Sequence, residues 1–228
     1  MPTFLRAFFL TFLYNKNSIK IQGDKMMPME EALTLAKKRR TIRNFDRKPV
    51  NLDEIKTCLE IAATAPSGAD MQPWHFCIIT SEAKKIEIRQ ACEQVEREFY
   101  DRRISEVWCQ DLKKLNLQVE KPFLTEAPCL IVIFKQLTHE DQPGHWVPNY
   151  YVNESVGIAT GFLIQALHQA GYAMLTYTPA PIHFLSKLCH RPENEIAEMI
   201  LVVGHARPDA PLPSLKKKTL EEIADFID

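Results

Sequence analysis

Arg39, Arg40 and Arg43 stand close enough in sequence for their forked guanidinium groups to clamp a single phosphate. The same run also reads as the solvated basic end of a helix. A second candidate is Thr64-Ala-Pro-Ser-Gly-Ala69 followed by Gln72-Pro-Trp74, where Pro66, Ser67 and Gly68 form a turn that exposes backbone N–H groups and a hydroxyl. On its own it is also an ordinary helix-to-strand connection. Glu96 and Tyr100 have the i, i+4 spacing that places two side chains on one helix face, and Lys121 follows in Glu120-Lys-Pro-Phe-Leu124. Without further context, Glu96 in Glu93-Gln-Val-Glu-Arg-Glu98 resembles any solvated helix position.

Glycine usage restricts how a phosphate could be held. The chain has 7 glycines in 228 residues and no two in a G-x-G arrangement, so a dinucleotide fingerprint and a Walker A loop are both excluded. Any phosphate-bearing cofactor must then be held mainly by side chains. The 7 histidines are scattered and HExxH is absent, so no metal site is expected, and His75 and His168 read as packed histidines. No GxSxG nucleophile elbow occurs. A net charge of -1 gives no electrostatic reason to expect nucleic acid as a partner. Cys58, Cys77, Cys92, Cys109, Cys129 and Cys189 form no CxxC pair, and most lie in apolar runs. They read as reduced, buried thiols of a cytoplasmic protein.

The elements that would position these residues follow from periodicity and punctuation. Pro28 to Lys38 reads as a helix whose basic end suits the negative pole of the helix dipole. Asn51 and Glu54 look like a capping box ahead of Leu52, Ile55, Cys58, Leu59 and Ala62 at helical spacing. Thr64 to Gly68 breaks that helix, and His75 to Thr80 reads as a strand. Ser81 caps a charged helical region expected to run to about Leu115. Cys129 to Phe134 is a buried strand and Thr138 to Pro148 a loop. Asn153 to Ala170 is an apolar helix stopped by Gly171. A strand over Tyr172 to Thr178, a short helix over Ile182 to Leu188 and a strand over Glu198 to Val203 follow. The Pro-rich tail after Pro208 is expected to be extended, with a short helix from Leu220.

The alternation implies an α+β or α/β domain with one central sheet over 28–228. Residues 1–27 form an N-terminal extension, expected to be poorly ordered. Its apolar stretch from Phe4 to Tyr14, interrupted by Arg6, is too short for a membrane span. An upstream start before Met26, Met27 or Met29, or a membrane-surface anchor, remain as other readings of it.

Arg39-Arg-Thr-Ile-Arg43-Asn-Phe45 and Thr64-Ala-Pro-Ser-Gly-Ala69, in that order and separation, resemble the opening of the nitroreductase superfamily. The resemblance continues through Ala127 to Phe134, Asn153 to Ala159, Ala170-Gly171 and Leu201 to Gly204, covering about Glu30 to Leu220. It implies an α+β fold with a central mixed sheet flanked by helices, assembled as a domain-swapped homodimer with FMN at the subunit interface. It further implies that Arg39, Arg40, Thr41, Ile42 and Arg43 hold the FMN phosphate and ring edge. Pro66, Ser67 and Gly68 would lie beside the flavin, with Thr176, Tyr177 and Thr178 near its ring. The family usually has an arginine near the C-terminus that reaches the phosphate; here Leu215-Lys-Lys-Lys218 offers only lysines, with Lys217 in that place.

Within the superfamily, Val95-Glu96-x-x-x-Tyr100, Trp108-x-x-Asp-Leu-Lys-Lys-Leu115 and Lys121-Pro-Phe-Leu124 resemble the active-site lid of the iodotyrosine dehalogenases. That resemblance implies reductive dehalogenation of a halotyrosine gripped by Glu96, Tyr100 and Lys121. Charge agrees with it, since a zwitterion needs one anion and one cation. The Ala69 backbone N–H would bind the substrate phenolate and Thr178 would hydrogen-bond flavin N5, with NAD(P)H or a reductase as electron source. The long segment before the Arg-Arg motif in those enzymes is not recognisable here. Three alternatives share parts of the pattern. They are a broad nitroreductase or quinone reductase, a flavin-destroying enzyme making the lower ligand of cobalamin, and a non-catalytic flavin-binding protein.

Overall fold

A computed structural model of the chain describes residues 28–102, 119–212 and 214–227, and the side chains of 99–102 are not described. The expected N-terminal extension and the Trp108–Leu115 part of the lid lie outside the described residues.

The sheet is organised around its last strand, β7 (Glu195–Ala206), which pairs with β1 (Phe45–Asp46), β3 (Cys129–Gln136) and β6 (Ala173–Tyr177). β2 (Trp74–Ile79) completes the five strands by pairing with β3 at the edge. These pairings are antiparallel, and the parallel element is an isolated bridge from Thr41 to Met174. Strand period 2 divides the core between the two faces. Cys129, Ile131 and Ile133 pack on one side with α2 (Leu52–Ala63) and the apolar α5 (Val152–Gln169). Leu130, Val132 and Phe134 pack on the other with α3 (Glu82–Arg102), α4 (Phe123–Glu126) and α6 (Phe184–Leu188). Before the sheet stands α1 (Met29–Lys38), held at its C-terminal end by His168, whose Nε2–H donates to the Leu35 carbonyl at 2.7 Å.

The α2 N-terminus departs from a standard capping box. Asn51 Oδ1 accepts from the Asp53 N–H at 3.0 Å, as an N-cap should. The Glu54 carboxylate, however, does not return to the Asn51 N–H. Tyr172 stands between them, accepting from Asn51 N–H at 3.1 Å and donating to Glu54 Oε2 at 2.6 Å. One buried phenol thus ties the start of α2 to the turn after α5. That turn follows expectation, with Gly171 at φ +84° and the Tyr172 N–H reaching back to the Leu167 carbonyl at 2.9 Å.

Two further expectations fail. Thr138 to Pro148 is not a loop but a hairpin of β4 (Thr138–Gln142) and β5 (His145–Pro148) around Gly144 at φ +80°. Its side chains are mostly exposed and polar, so the strands have no apolar face for a periodicity reading to detect. Polar pairs hold it instead: Glu140 accepts from the Gly144 N–H, Asp141 meets His145 at 2.6 Å, and His139 meets Asn149 at 2.8 Å. The helix expected from Leu220 is a single turn, closed by Ile223 and Ala224 N–H groups on the Leu220 carbonyl. One turn alone does not recover the cost of helix nucleation.

The five described cysteines are free. Burial pushes the Cys92 and Cys129 thiols up to about 12, and Cys77 and Cys189 are half-buried. Among the described residues no His, Cys, Asp or Glu cluster could hold a metal ion, and no helix is long and apolar enough to cross a membrane.

Tyr172→Phe leaves the Asn51 N–H and the Glu54 carboxylate without their shared partner, so it should cost about 1–3 kcal/mol of stability. Denaturant unfolding of both proteins measures the difference.

Candidate active site

The arginine segment leaves α1 in an extended conformation and is stitched directly to the sheet. The Ile42 N–H donates to the Met174 carbonyl at 3.0 Å, and the Arg207 N–H donates to the Asn44 carbonyl at 3.1 Å. Ile42 and Phe45 are buried, which leaves Arg39, Arg40, Thr41 and Arg43 half-buried along the β6 end of the sheet. Burial lowers the Arg43 pKa from its usual value, with no acidic neighbour offsetting the effect. A desolvated guanidinium without a carboxylate partner among the described residues suits a phosphate ligand.

The turn after α2 is conformationally unusual. Ala69, Asp70 and Gln72 all have positive φ, at 49°, 55° and 48°. A non-glycine residue in this region is strained, and three in four positions is a concentration typical of functional loops. Ser67 Oγ accepts from the Gln72 N–H at 3.0 Å and closes the turn. The Gly68 N–H donates to Ser155 Oγ at 3.3 Å, and the Asp70 and Met71 N–H groups close onto the Ser67 and Gly68 carbonyls. The Ala69 N–H takes part in no hydrogen bond among the described residues. It stands as an available donor on an exposed, rigid turn.

On β6 the strand alternation separates the predicted neighbours. Thr176 and Thr178 are exposed, whereas the side chain of Tyr177 turns into the opposite face. There its hydroxyl donates to Glu96 Oε1 at 3.0 Å. Lys121 Nζ lies 3.3 Å from Glu96 Oε2, with side chains only 6% and 16% exposed respectively. The structure therefore brings Glu96 and Lys121 together. Tyr100 lies on α3 one turn after Glu96, with its side chain not described. Lys217 lies in the exposed tail.

The residues that create this meeting were not anticipated. Lys85, Arg89 and Glu93 lead up to Glu96 on successive turns of one face of α3 and fasten it to the segment 121–127. Lys85 Nζ donates to the Ala127 carbonyl at 2.8 Å, and Arg89 donates to Thr125 Oγ1 at 2.9 Å. Glu93 Oε1 takes both Arg89 Nε at 2.6 Å and the Lys121 N–H at 2.7 Å. The available signal was the 4, 4, 3 spacing of long polar side chains, which the charged background of the helix obscured.

A sequence model of the nitroreductase family matches residues 36–205. The chain belongs to the nitroreductase family. An iodotyrosine deiodinase from Haliscomenobacter hydrossis is 44% identical over 180 residues, spanning 79% of this chain and 81% of that protein. A crystal structure of oxidized iodotyrosine deiodinase bound to FMN and 3-iodo-L-tyrosine superposes with a TM-score of 0.74 at 32% identity. That alignment covers 85% of this chain and 99% of the other. A BluB-like flavoprotein from Clostridium difficile 630 shares the nitroreductase fold, with a TM-score of 0.69 at 20% identity over 89% of this chain and 100% of its own.

In this nitroreductase-family chain, a Cβ at Gly68 would lie 2.7 Å from Tyr151 Cδ2 and 3.1 Å from the Tyr150 carbonyl oxygen. The carbonyl cannot swing away as a side chain can. Gly68→Ala should therefore destabilise the fold by about 1–3 kcal/mol and displace the strained turn. Thermal unfolding together with flavin retention through gel filtration reads both effects.

Proposed function

We propose that the chain is an FMN-dependent reductive dehalogenase of halotyrosines, working as a homodimer. The observation that carries this reading is the buried Glu96–Lys121 pair on a nitroreductase-family scaffold. One anion and one cation at such a site match an amino acid's ammonium and carboxylate, and a simple nitroarene or quinone has no use for them. The 44% identical deiodinase and the structure bound to FMN and 3-iodo-L-tyrosine support the same assignment.

Arg39, Arg40 and Arg43 would hold the FMN phosphate, with Thr41, Ile42, Pro66, Ser67, Gly68, Thr176, Tyr177 and Thr178 around the ring and its edge. The chain of Tyr177 would contribute there through its backbone, since its side chain serves Glu96. Bound FMN would supply two electrons, and with one proton these replace the carbon–halogen bond by carbon–hydrogen and release halide. The Ala69 N–H would bind the phenolate oxygen, and the Thr178 hydroxyl would hydrogen-bond flavin N5. Glu96 and Tyr100 would receive the ammonium side of the substrate and Lys121 the carboxylate. Electrons would come from NAD(P)H or a reductase. The reduced thiols fit a cytoplasmic setting.

The dimer is supported by the tail. Leu212, Leu215, Leu220, Ile223, Phe226 and Ile227 are all at least 50% exposed on their own chain. Such an apolar run is costly in water and suits a neighbouring subunit, where Lys217 would reach the partner's phosphate. Truncation after Pro208 should abolish both the dimer and flavin retention. Light scattering coupled to gel filtration, with flavin absorbance monitored, decides this; a truncated protein that stays dimeric and yellow would refute the swapped arrangement.

Anaerobic turnover of iodo-, bromo- and chlorotyrosine by the dithionite-reduced enzyme should give tyrosine and halide. Glu96→Gln or Lys121→Met should weaken halotyrosine binding by about 1.5–3 kcal/mol, roughly ten- to a hundredfold. Nitroarene reduction should stay near the wild-type rate. Equal loss on both substrates would assign the two residues to the fold instead.

A further inference from the structure

We propose that Cys77 and Cys189 form a reversible dithiol–disulfide site at the rim of the sheet, with Cys77 as attacking thiolate and Cys189 as resolving thiol. The site uses residues outside the dehalogenation reading and stands whether or not that reading holds.

Strand register brings the two sulfurs to one place. β2 is the edge strand of the sheet, and Cys77 stands opposite Val132 of β3. Cross-strand partners share a face, so Cys77 points with Val132 and Ile79 toward the side covered by α3 and α6. Cys189 follows α6 directly, its N–H closing on the Leu185 carbonyl at 2.9 Å, and packs against the same core cluster. Both thiols are only half-buried, which leaves them reachable from the edge. Cys58, Cys92 and Cys129 are buried.

The surroundings give the two thiols different roles. Cys189 stands beside Cys77 as the main support for its anion and holds its pKa down to about 7, although burial opposes this. Arg191 and Lys84 add positive charge, and Glu195 works against them. Glu195 is itself engaged, by Arg191 at 2.6 and 2.8 Å and by Gln136 at 2.9 Å. Roughly half of Cys77 is therefore thiolate at neutral pH, against a few per cent for a free thiol at about 8.5. Cys189 is pushed far above its ordinary value, first by Cys77 and then by burial. It keeps its proton while Cys77 is an anion. Capping Cys77 removes that anion and, with it, the largest cause that keeps Cys189 protonated. Reaction at the first thiol thus readies the second.

The step needs an oxidant, and a small-molecule disulfide supplies it. The Cys77 thiolate attacks one sulfur of that disulfide, whose S–S bond breaks to release one thiolate. Cys189 gives up its proton and attacks Cys77 Sγ in the resulting mixed disulfide. The Cys77–Cys189 bond forms, and the second reagent thiolate leaves. Two protein thiols lose two electrons and two protons, which convert the reagent disulfide into two thiols. The new bond ties the edge strand β2 to the end of α6.

The test starts from purified full-length protein, reduced and then freed of reductant. It is incubated with oxidised glutathione, alkylated in denaturant and mapped by peptide mass spectrometry. A peptide joining Cys77 to Cys189, separated again by dithiothreitol, is expected, while Cys58, Cys92 and Cys129 are recovered alkylated. Cys189→Ser should stop at one glutathione on Cys77. In Cys77→Ser, Cys189 should react about tenfold more slowly than Cys77 does in Cys189→Ser, as its smaller thiolate fraction requires. A glutathione that stays on Cys77 of the unmodified protein would overturn the pair, as would a disulfide to another cysteine or no reaction at all. Equal rates in the two variants would overturn the order of attack. The mapping on the unmodified protein needs no variant to fold.

Discussion

A helix as charged as α3 can lie against a sheet only if its inward-facing charges find partners, and nearly everything at the candidate site follows from how it does so. Lys85 is almost fully buried and gives its ammonium to the Ala127 carbonyl. Arg89 and Glu93 bind each other and then Thr125 and the Lys121 N–H. An unpaired group at any of these positions would cost more than the contact gains. The polar ladder therefore fixes both the helix and the segment 121–127. That segment leads directly into β3, whose residues from Cys129 to Phe134 are all buried. Glu96 and Lys121 meet because the three rungs before them have already set the distance.

The period of a strand makes the second division. β6 presents Thr176 to one face of the sheet and Tyr177 to the other, one step apart. A cofactor ring on the first face and a substrate's charged end governed from the second can thus be served by adjacent residues. On the proposed assignment, flavin and amino-acid recognition would share a strand without sharing a side chain. The Phe123 ring against Tyr177 closes the arrangement by linking the strand back to the segment that carries Lys121.

Much of this was legible in the residues because the signals were local. Asn51, Gly171 and the unbroken apolar run from Cys129 to Phe134 each mark an element by their own chemistry, and each element formed. The hairpin Thr138–Pro148 was missed because its pairing is polar and no face of it is buried, so its sequence reads as loop. β7 extends past the expected Glu198–Val203 at both ends because Glu195 is satisfied by Arg191 and the last residues by β1. The Tyr172 relay and the partners of the α3 ladder share one source of illegibility. Both join residues far apart in sequence, and a single sequence holds no record of which distant polar groups become neighbours. The pairing of Glu96 with Lys121 could be expected only through the family's motif.

The scarcity of glycine gives the turn at 67–72 its character. Left-handed conformations there fall on Ala69, Asp70 and Gln72, where a side chain costs about 1 kcal/mol or more each. Such a cost persists only where the surroundings over-determine the backbone. Here Ser67 Oγ holds the Gln72 N–H, the Trp74 N–H holds the Gln72 carbonyl at 2.8 Å, and Gly68 is pressed against Tyr150 and Tyr151. The Asp70, Met71 and Gln72 N–H groups close on Ser67 and Gly68 within the turn, and among the described residues the Ala69 N–H is the donor left over. Rigidity bought this way suits an anionic oxygen, because a pre-aimed donor needs no reorganisation when the charge arrives.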